Sequence, residues 1–434
     1  ARLDAWLCDV KEMRVGDGLH VFGAGDCGAA ESSALLRALS GRFVEPGPAG
    51  APSRGRADVL PTGRNLFCID PRHAPTRTAF DIGARAAREV MMRHAQEHGE
   101  WPRNILLDLW GSATIRTGGE DFAQALALMG VAPSWDHASA RVSGFEIEPL
   151  AKRDFPRVDV TLHISGLFRD MFPGLIALFH DAVAAVAALD EEDESNPLAC
   201  AWRAGGSLAR IFGAAQGSYG LGLSEQIAEG AARAELGRAF LAAGGHSFSR
   251  EAESAPALEA FGARVGAADA LVHVQDMAET DILTGAAFAE FEGGFSAANA
   301  SLGGAAEIVH LDATRPAAMT LRSLEREIAR VIRARAANPR WIAGQMRHGH
   351  RGAAEIAETL DNLFAFAATT EAVSDAQWDL VFDATLGAPR VQEFLFRENP
   401  RAAQAIRDVF RRAIARGFWR TRRNSVAAAL GATA

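Results

Sequence analysis

The chain has 434 residues, 48% of them hydrophobic, and a formal net charge of −9. This length is enough for two or three ordinary globular domains. The negative charge argues against a nucleic-acid partner, because phosphate binding requires a clustered basic surface. The most apolar stretch, 172–189, is interrupted by Pro173, His180 and Asp181, which argues against a transmembrane helix.

The cysteines and the first residues indicate the setting of the protein. The cysteines are too far apart for a C-x-x-C metal site or a disulfide framework, so we expect a reducing, cytoplasmic location. They are Cys8, Cys27, Cys68 and Cys200. The sequence starts without methionine or a signal peptide, and residues 1–10 resemble the middle of an element, so we expect a fragment of a longer chain.

Short aliphatic runs that lead into helical patterns predict βα units around a mostly parallel sheet. The predicted strands are 104–110, 158–164, 208–212, 270–274 and 307–310. After Pro316, apolar residues recur at three- and four-residue spacing, which predicts helices. The predicted helices are 324–337, 353–366, 375–386 and 400–416.

The predicted fold class is therefore α/β, with a mostly parallel sheet and flanking helices, followed by an α-helical C-terminal region. We divide the chain into three parts on this basis. Residues 1–63 form an N-terminal segment with a Pro/Gly-rich loop, and we expect it to continue from an upstream region. Residues 64–316 form the α/β region, and residues 317–434 form the helical region.

Two short motifs match known binding patterns but also have structural explanations. GAGDCG at positions 23–28 formally matches the dinucleotide fingerprint, with Glu45 as the ribose acceptor, but only a four-residue apolar run precedes it. HAQEH at 94–98 matches the H-x-x-E-H pattern of zinc proteases, but Gly99 and Pro102 follow it as a helix C-cap and stop. We favour the structural explanation for both.

A P-loop is excluded by the lysines. The motif needs G-x-x-x-x-G-K-[ST], and the chain contains only Lys11, followed by Glu12, and Lys152, followed by Arg153. If the protein takes part in an ATP-driven reaction, a partner must therefore hydrolyse the ATP.

The segment LWGSATIRTGGEDFAQALALMG, residues 109–130, places a glycine-flanked loop at the end of a predicted strand. Loops at the carboxyl ends of strands are where α/β sheets bind ligands. Glu120 and Asp121 then begin a helix. These acids are either part of a site or residues that cap the helix and complement its dipole.

Together with that segment, five long runs carry a resemblance to a known family. They are LPTGRNLFCIDP (60–71), VDVTLHISGLFRDMFP (158–173), ARIFGAAQGSYG (209–220), ETDILTGAAFAEFEGGF (279–295) and NPRWIAGQMRHGHRGAAEI (338–356). In order and spacing they resemble the large subunit of cobaltochelatase (CobN) and, more distantly, the large subunit of magnesium chelatase, its H polypeptide. The resemblance covers residues 19–419 and corresponds to the C-terminal portion of these longer proteins.

The resemblance implies insertion of a divalent metal into a tetrapyrrole. In the cobalt branch, Co2+ enters hydrogenobyrinic acid a,c-diamide in aerobic cobalamin biosynthesis, and in the magnesium branch Mg2+ enters protoporphyrin IX. It also implies two partner subunits, an AAA+ ATPase and its companion, which use ATP and Mg2+. The runs GGE (118–120), FEGG (291–294) and MRHG (346–349) resemble the cobalt branch, whereas His350 departs from it, since relatives tend to carry tyrosine there.

Metal insertion must remove N–H protons from the macrocycle and strip water from the metal, which requires general bases and oxygen or imidazole ligands. The family patterns suggest three catalytic candidates. Glu120 is the first choice as proton acceptor or transient metal ligand, Asp281 the second, and His348 a metal-delivery ligand. The structural alternatives are helix capping for Glu120, a loop hydrogen bond for Asp281 and packing for His348.

Further candidates would bind the substrate. A corrin precursor carries carboxylates that guanidinium groups can clamp, and aromatic rings can stack on its macrocycle. The residues in the matching segments are Trp110, Arg116, Arg169, Arg210, Tyr219 and Arg333. Two alternative functions are a non-catalytic tetrapyrrole carrier or partner-docking fragment, and an oxidoreductase that binds NAD at residues 23–28.

Overall fold

The computed structural model describes residues 27–48, 59–64, 69–278 and 280–431. Within them, an eight-stranded sheet has the order β10-β9-β8-β1-β4-β5-β6-β7, and β2 and β3 form a separate antiparallel hairpin. The pairs β9-β8, β8-β1, β1-β4 and β4-β5 are parallel. The strands are β1 (Asn104–Leu109), β2 (Val131–Trp135), β3 (Val142–Ile147), β4 (Asp159–Ile164), β5 (Ile211–Gly213), β6 (His246–Phe248), β7 (Ser254–Pro256), β8 (Ala270–Gln275), β9 (Glu307–Asp312) and β10 (Thr320–Ser323).

Helices flank the sheet and form the C-terminal region, as predicted. The helices before residue 302 are α1 (Cys27–Leu39), α2 (Arg77–His98), α3 (Gly111–Thr117), α4 (Glu120–Met129), α5 (Gly166–Met171), α6 (Pro173–Ala187), α7 (Pro197–Arg203), α8 (Leu223–Glu229), α9 (Arg233–Gly244), α10 (Leu258–Gly266), α11 (Ala286–Phe288) and α12 (Gly294–Ser301). The later helices are α13 (Leu324–Val331), α14 (Pro339–Met346), α15 (His350–Thr369), α16 (Asp375–Ala384), α17 (Pro389–Glu398), α18 (Pro400–Ala415) and α19 (Asn424–Leu430). None of the described helices is long and apolar enough to cross a membrane.

The predicted fold class is confirmed, with local differences. The strand predicted over 208–212 is the shorter β5, which begins one residue after Arg210. The antiparallel strands β6, β7 and β10 and the hairpin β2-β3 were not predicted, since they are short or lack clear alternation. The helix predicted over 324–337 changes from α to π at Ile332–Ala336.

Local signals set the ends of α2, which crosses one face of the sheet. The Thr76 side chain accepts a hydrogen bond from the Ala79 N–H (3.1 Å) at its start. Gly99, with φ of 81°, ends it in the left-handed conformation, as the sequence predicted. The HAQEH motif is therefore the last turn of a capped helix.

Of the predicted dinucleotide loop, residues 23–26 lie outside the described part of the chain.

Side chains of β1 alternate between two hydrophobic cores, one on each face of the sheet. Ile105, Leu107 and Leu109 belong to the core formed with α2, α4 and α6. Leu106 belongs to the other core, which also contains Leu360 and other residues of the C-terminal helices. Because both faces are covered, the central parallel strands are almost continuously apolar.

The central strand β1 lies where the chain changes direction across the sheet, between β4 on one side and β8 on the other. Open α/β sheets bind ligands outside the carboxyl ends of strands at such a point. Two loops are tied together there, since the Ser165 hydroxyl accepts hydrogen bonds from the Gly111 N–H (3.0 Å) and the Phe168 N–H (3.2 Å). A Cβ at Gly111 would overlap the backbone of Phe168, so the close approach requires glycine.

The opposite, amino-terminal edge of the sheet is held by a buried cluster of charges. Asp159, 1% exposed, accepts hydrogen bonds from Arg210 (2.5 and 2.9 Å) and from Arg264 (2.8 Å). One carboxylate therefore compensates two guanidinium groups inside the protein, where an unpaired charge is very unfavourable.

We expect Asp159→Asn to lower the free energy of unfolding by about 3–5 kcal/mol, because two buried guanidinium groups lose their counter-charge. Urea unfolding followed by circular dichroism measures the effect. The matched control is Asp154→Asn, which removes an exposed pair with Arg88 and should cost less than about 1 kcal/mol. Equal effects of the two substitutions would contradict this account.

Candidate functional site

One polar side chain interrupts each of four neighbouring parallel strands at the same height. In the sheet register, Asp108 of β1 is opposite His163 of β4, and His273 of β8 is opposite His310 of β9. Leu107 pairs with Val272, so Asp108 and His273 are the next residues along their strands. All four polar side chains are at most 4% exposed. Buried ionisable groups are costly unless they are paired or bind a ligand, so this row is a candidate functional site.

Asp108 and His273 form a buried pair within the row. The His273 Nδ1 lies 2.8 Å from the Asp108 Oδ2. Burial opposes the charged form of His273, but the charges of Asp108 and Glu292 outweigh it, so the pKa of His273 is raised above its ordinary value. Asp108 therefore both orients this imidazole and stabilises its protonated form.

His163, on the other side of Asp108, has a contrasting environment. The rings of Phe240, Phe261 and Phe291 surround it at centroid distances of 5.1–5.2 Å. Burial lowers the pKa of His163 to about 4, so it is neutral near pH 7. His163 is therefore the uncharged end of the row and does not form a charged pair with Asp108 as His273 does.

Glu292 covers the row from a π-helical turn, Ala289–Gly293. Its side chain is 0% exposed, and neither of its carboxylate oxygens has a hydrogen-bond partner in the described part of the chain. One oxygen lies 3.9 Å from the His273 Nδ1 and the other 3.8 Å from the His310 Nδ1. Burial raises the pKa of Glu292 to about 8. π turns are rare and occur frequently at functional sites.

Two glycines allow the π turn to reach the sheet. A Cβ at Gly293 would overlap the Thr369 side chain at the end of α15, and a Cβ at Gly294 would clash with the ring of Phe240. Close packing therefore requires glycine at both positions of the FEGG run. It brings helices on both sides close enough to hold Glu292 over the strands.

Hydrogen bonds fix the tautomer of His310. The Gln275 Nε2 donates to the carbonyl oxygens of Met277 (3.1 Å) and Thr280 (2.5 Å), so the Gln275 Oε1 is an acceptor. The His310 Nε2, 3.0 Å from that oxygen, must then carry the proton. Burial lowers the pKa of His310, so the ring is neutral and its Nδ1 presents a lone pair to Glu292.

A cavity of about 160 Å³ opens beside this row at the carboxyl ends of β1 and β8. Its ionisable and aromatic lining residues are Asp108, Trp110, Arg116, Asp121, His273, Asp276 and Phe288. Arg116 pairs with Asp276 through two hydrogen bonds (2.7 and 2.9 Å) at its wall. The cavity is thus lined by the charged pair of Arg116 and Asp276 and by the buried imidazole of His273.

Asp121, in the first turn of α4, is a buried carboxyl group of this cavity. It accepts a hydrogen bond from the Phe122 N–H (2.8 Å), and the Thr114 hydroxyl lies 3.3 Å from its Oδ2. Burial, reinforced by the charge of Asp276, raises the pKa of Asp121 to about 7. Such a group can exchange a proton with a ligand near neutral pH.

Several of the predicted residues lie at or next to this cavity. Trp110 and Arg116 line it, and the Trp110 ring lies 5.4 Å from the ring of His273. Glu120, 3% exposed, is the first residue of α4 and immediately precedes Asp121. The acid pair begins a helix, as predicted, but the stretch before it that was predicted to be a loop contains the short helix α3, Gly111–Thr117.

Arg169 and Tyr219 meet in a second group at the same edge of the sheet, after β4 and β5. The Tyr219 hydroxyl donates to Asp170 (2.5 Å), and Asp170 also accepts from Arg169 (2.7 Å). The guanidinium group of Arg169 lies 5.4 Å from the centre of the Tyr219 ring. Tyr219 is 64% exposed, so its ring is available to a ligand at this edge.

The other predicted residues lie away from the lining of the cavity. Arg210 is bound to Asp159 at the amino-terminal edge described above. Asp281 accepts a hydrogen bond from Arg335 (2.7 Å), whereas Arg333 is exposed on the same π segment as Arg335. His348 is exposed in the turn between α14 and α15. Their proposed roles in the site therefore stay predictions.

Four residues of this site were not predicted from the sequence: Asp108, His273, Glu292 and His310. A signal for three of them is present, because NILLDL, ALVHVQ and EIVHLD each carry one ionisable residue inside an aliphatic strand. A mostly parallel sheet was predicted, but its strand order and register were not, so the sequence could not place these residues at one height. Glu292 lies in the FEGG run, which indicates the family and its cobalt branch but gives no sign by itself that this side chain is buried beside histidines.

The chain is similar to metal chelatases from several bacteria. A family model described as CobN/Magnesium Chelatase matches residues 24–426. The aerobic cobaltochelatase CobN polypeptide of Sinorhizobium sp is 46% identical over 417 residues, which are 92% of this chain and 33% of the relative. That of Pseudomonas aeruginosa is 47% identical over 415 residues, 91% of this chain and 33% of the relative. The magnesium chelatase H polypeptide of Cereibacter sphaeroides is 28% identical over 414 residues, 93% and 34% of the two chains.

A solved structure extends the likeness to three dimensions. The catalytic subunit of cobaltochelatase from Mycobacterium tuberculosis matches with a TM-score of 0.86 at 36% identity, over 93% of this chain and 36% of that chain. The chain spans about a third of the length of the curated relatives it matches. The resemblance inferred from the sequence motifs is confirmed, and the chain belongs to the CobN/magnesium chelatase family.

Proposed function

We propose that this chain is the tetrapyrrole-binding, metal-inserting part of the large subunit of an ATP-dependent cobaltochelatase. It would insert Co2+ into hydrogenobyrinic acid a,c-diamide in aerobic cobalamin biosynthesis, in the cytoplasm. The observation that carries the proposal is the cavity at the switch point of the sheet. It is lined both by a buried carboxyl group with a pKa of about 7, Asp121, and by a buried imidazole, His273. Metallation requires both a proton acceptor and a metal ligand.

The donor set supports cobalt over magnesium. Imidazole nitrogen is a good ligand for transition metals, whereas Mg2+ prefers oxygen ligands in octahedral geometry. His273 lines the cavity, and the ring of His310 lies 5.0 Å from the ring of His273. The relatives with CobN names are also 46–47% identical to the chain, against 28% for the magnesium chelatase relative.

Asp121 is the residue we propose to accept a pyrrole proton. It lines the cavity, and its pKa of about 7 matches proton transfer near neutral pH. Glu120 lies next to it on α4 and is proposed to assist. Asp281 and His348 are proposed to act from the surrounding loops, Asp281 through its ion pair with Arg335.

The macrocycle is proposed to stand at the mouth of the cavity rather than inside it. A volume of about 160 Å³ is below the roughly 300–1,000 Å³ of cavities that enclose drug-sized ligands. Trp110 and Arg116 would contact the ring from the cavity side. Tyr219, at the same edge of the sheet, would contact its carboxylate-bearing periphery, and Arg169, which is 4% exposed and paired with Asp170, would hold the Tyr219 ring in place.

ATP hydrolysis is assigned to partner subunits, an AAA+ ATPase and its companion. The sequence has two lysines, and neither stands in a P-loop motif. ATP and Mg2+ are therefore proposed as reagents of the partners, and Co2+ as a substrate of this chain.

We expect hydrogenobyrinic acid a,c-diamide to bind the purified chain saturably and to quench its tryptophan fluorescence, since Trp110 lines the proposed site. Trp110→Phe should remove a large part of the quenching. Trp202→Phe is the matched control, because Trp202 is exposed on α7 and is not among the lining residues. The measurement is a fluorescence titration with the ligand's absorption followed in parallel.

The alternatives give different results in the same titration. Preference for protoporphyrin IX would assign the chain to a magnesium chelatase. Corrinoid binding without metal insertion in the assembled complex would indicate a carrier or docking fragment. Binding of neither tetrapyrrole would refute the proposal.

We expect Asp121→Asn to stabilise the chain increasingly as the pH rises. The pKa of Asp121 is raised from 3.8 to about 7, so folding favours its protonated form, and this contribution to stability is full below about pH 4 and lost as the pH passes 7. Asparagine avoids the loss. The difference in free energy of unfolding between variant and parent should therefore be on the order of 2–4 kcal/mol larger at pH 8 than at pH 4.

Urea unfolding at several pH values measures this difference. Asp81→Asn is the control, because Asp81 is exposed on α2, and its curve should run parallel to that of the parent. A parallel curve for Asp121→Asn would show that the carboxyl group is ionised without cost and would remove the reason to assign it proton transfer.

A further inference from the structure

Three buried side chains next to the cavity bring possible metal-ligand atoms close together. An imidazole nitrogen of His273, one of His310 and a carboxylate oxygen of Glu292 all lie within 4.8 Å of one another. The shortest separations from Glu292, 3.8 and 3.9 Å, are too long for hydrogen bonds. Ligands about 2.1 Å from a shared tetrahedral ion are separated by roughly 3.4 Å, so the 3.8 Å between the Glu292 oxygen and the His310 Nδ1 needs only a small inward movement to accommodate a cation.

The electrostatics of these groups also favour a cation. The His310 Nδ1 presents a lone pair toward Glu292, because its Nε2 proton is committed to Gln275. Both oxygens of Glu292 lack hydrogen bonds within the described residues, and Asp108 adds a second carboxylate beside His273. A bound metal requires deprotonated ligands. Two carboxylates and two neutral imidazoles then have a net charge of −2, which one divalent ion neutralises.

We propose that His273, Glu292 and His310 bind one divalent transition-metal ion next to the cavity. Gln275 holds His310 through the Nε2 of that ring, which leaves its Nδ1 for the ion. Asp108 holds His273 through the Nδ1 of that ring, so His273 would bind the ion through its Nε2. Two nitrogens and one oxygen are suited to Co2+ or Zn2+ and poorly suited to Mg2+. His273 is the ligand that also lines the cavity, so the ion would lie next to the space from which a tetrapyrrole would approach.

In the context of the proposed function, on which this step rests, the site holds the metal before its transfer to the macrocycle. The imidazoles replace water around the ion, and the nearby Asp121 accepts a proton as a pyrrole nitrogen replaces a protein ligand. The selection of a transition metal over Mg2+ would then occur at the protein site, before the ring is engaged.

The test is a titration of the purified, chelator-treated chain with Co2+ in the absence of tetrapyrrole, followed by calorimetry and visible absorption. We expect one tightly bound Co2+ with the intense absorption of a low-coordinate site, competition by Zn2+, and no competition by equimolar Mg2+. Glu292→Gln, which preserves shape, should weaken binding at least about 100-fold, and Asp108→Asn about 10- to 100-fold. His310→Gln provides a second ligand variant if Glu292→Gln does not fold, as judged by circular dichroism.

The matched control is His98→Ala. Glu97, His98 and Glu307 also place ligand atoms within 4.8 Å of one another, but on the surface. Binding that is lost in His98→Ala, unchanged in folded Glu292→Gln or His310→Gln, or absent from the parent chain would overturn the inference. Failure of the proposed function is distinguishable, because it appears as loss of tetrapyrrole binding in the metal-free titration while Co2+ binding persists.

Discussion

Burial of a parallel sheet on both faces is the constraint on which this structure depends. A strand with helices on each side has no water to solvate a polar side chain, so every ionisable residue in it must find a partner inside the protein. Four adjacent strands nevertheless carry Asp108, His163, His273 and His310 at one height. The unfavourable free energy of burying these four residues is reduced in a different way for each. Asp108 and His273 compensate each other, His163 is neutral among phenylalanines, and His310 is fixed by Gln275.

The C-terminal helices support this site although they contribute none of its ionisable residues. They form one hydrophobic core with the face of the sheet that carries the polar row. The end of α15 packs on Gly293, and α9 packs on Gly294, so the π turn between them is held against the strands with Glu292 directed inward. A residue with a side chain at either glycine would displace the turn. The helical region therefore has a structural part in positioning a buried carboxylate that it does not itself contain.

The site has two parts, the residues that line the cavity and the fully buried residues next to them, and each part suits different chemistry. At the cavity wall, Asp121 and the pair of Arg116 with Asp276 are accessible to a ligand and respond to its charge. Next to it, Glu292 and His310 are fully enclosed, which strengthens electrostatic interactions because water is excluded. His273 belongs to both parts. This arrangement is consistent with a proton acceptor near the ligand and a metal-binding group behind it, connected through one imidazole.

The sequence alone determined the fold class, most of the central strands, the capped end of α2 and the family, because these follow from short-range periodicity, turn chemistry and long motifs. It also placed Trp110, Arg116 and the Glu120–Asp121 pair at the edge of the sheet where the cavity lies. Only the tertiary structure decided that Asp108, His273, Glu292 and His310 meet, since they are separated by up to about 200 positions and their meeting depends on strand order and register. It likewise decided that Arg210 is bound to Asp159 at the far edge and that Arg335 rather than Arg333 contacts Asp281, because the partner of a charged side chain is set by packing rather than by its own position in the sequence.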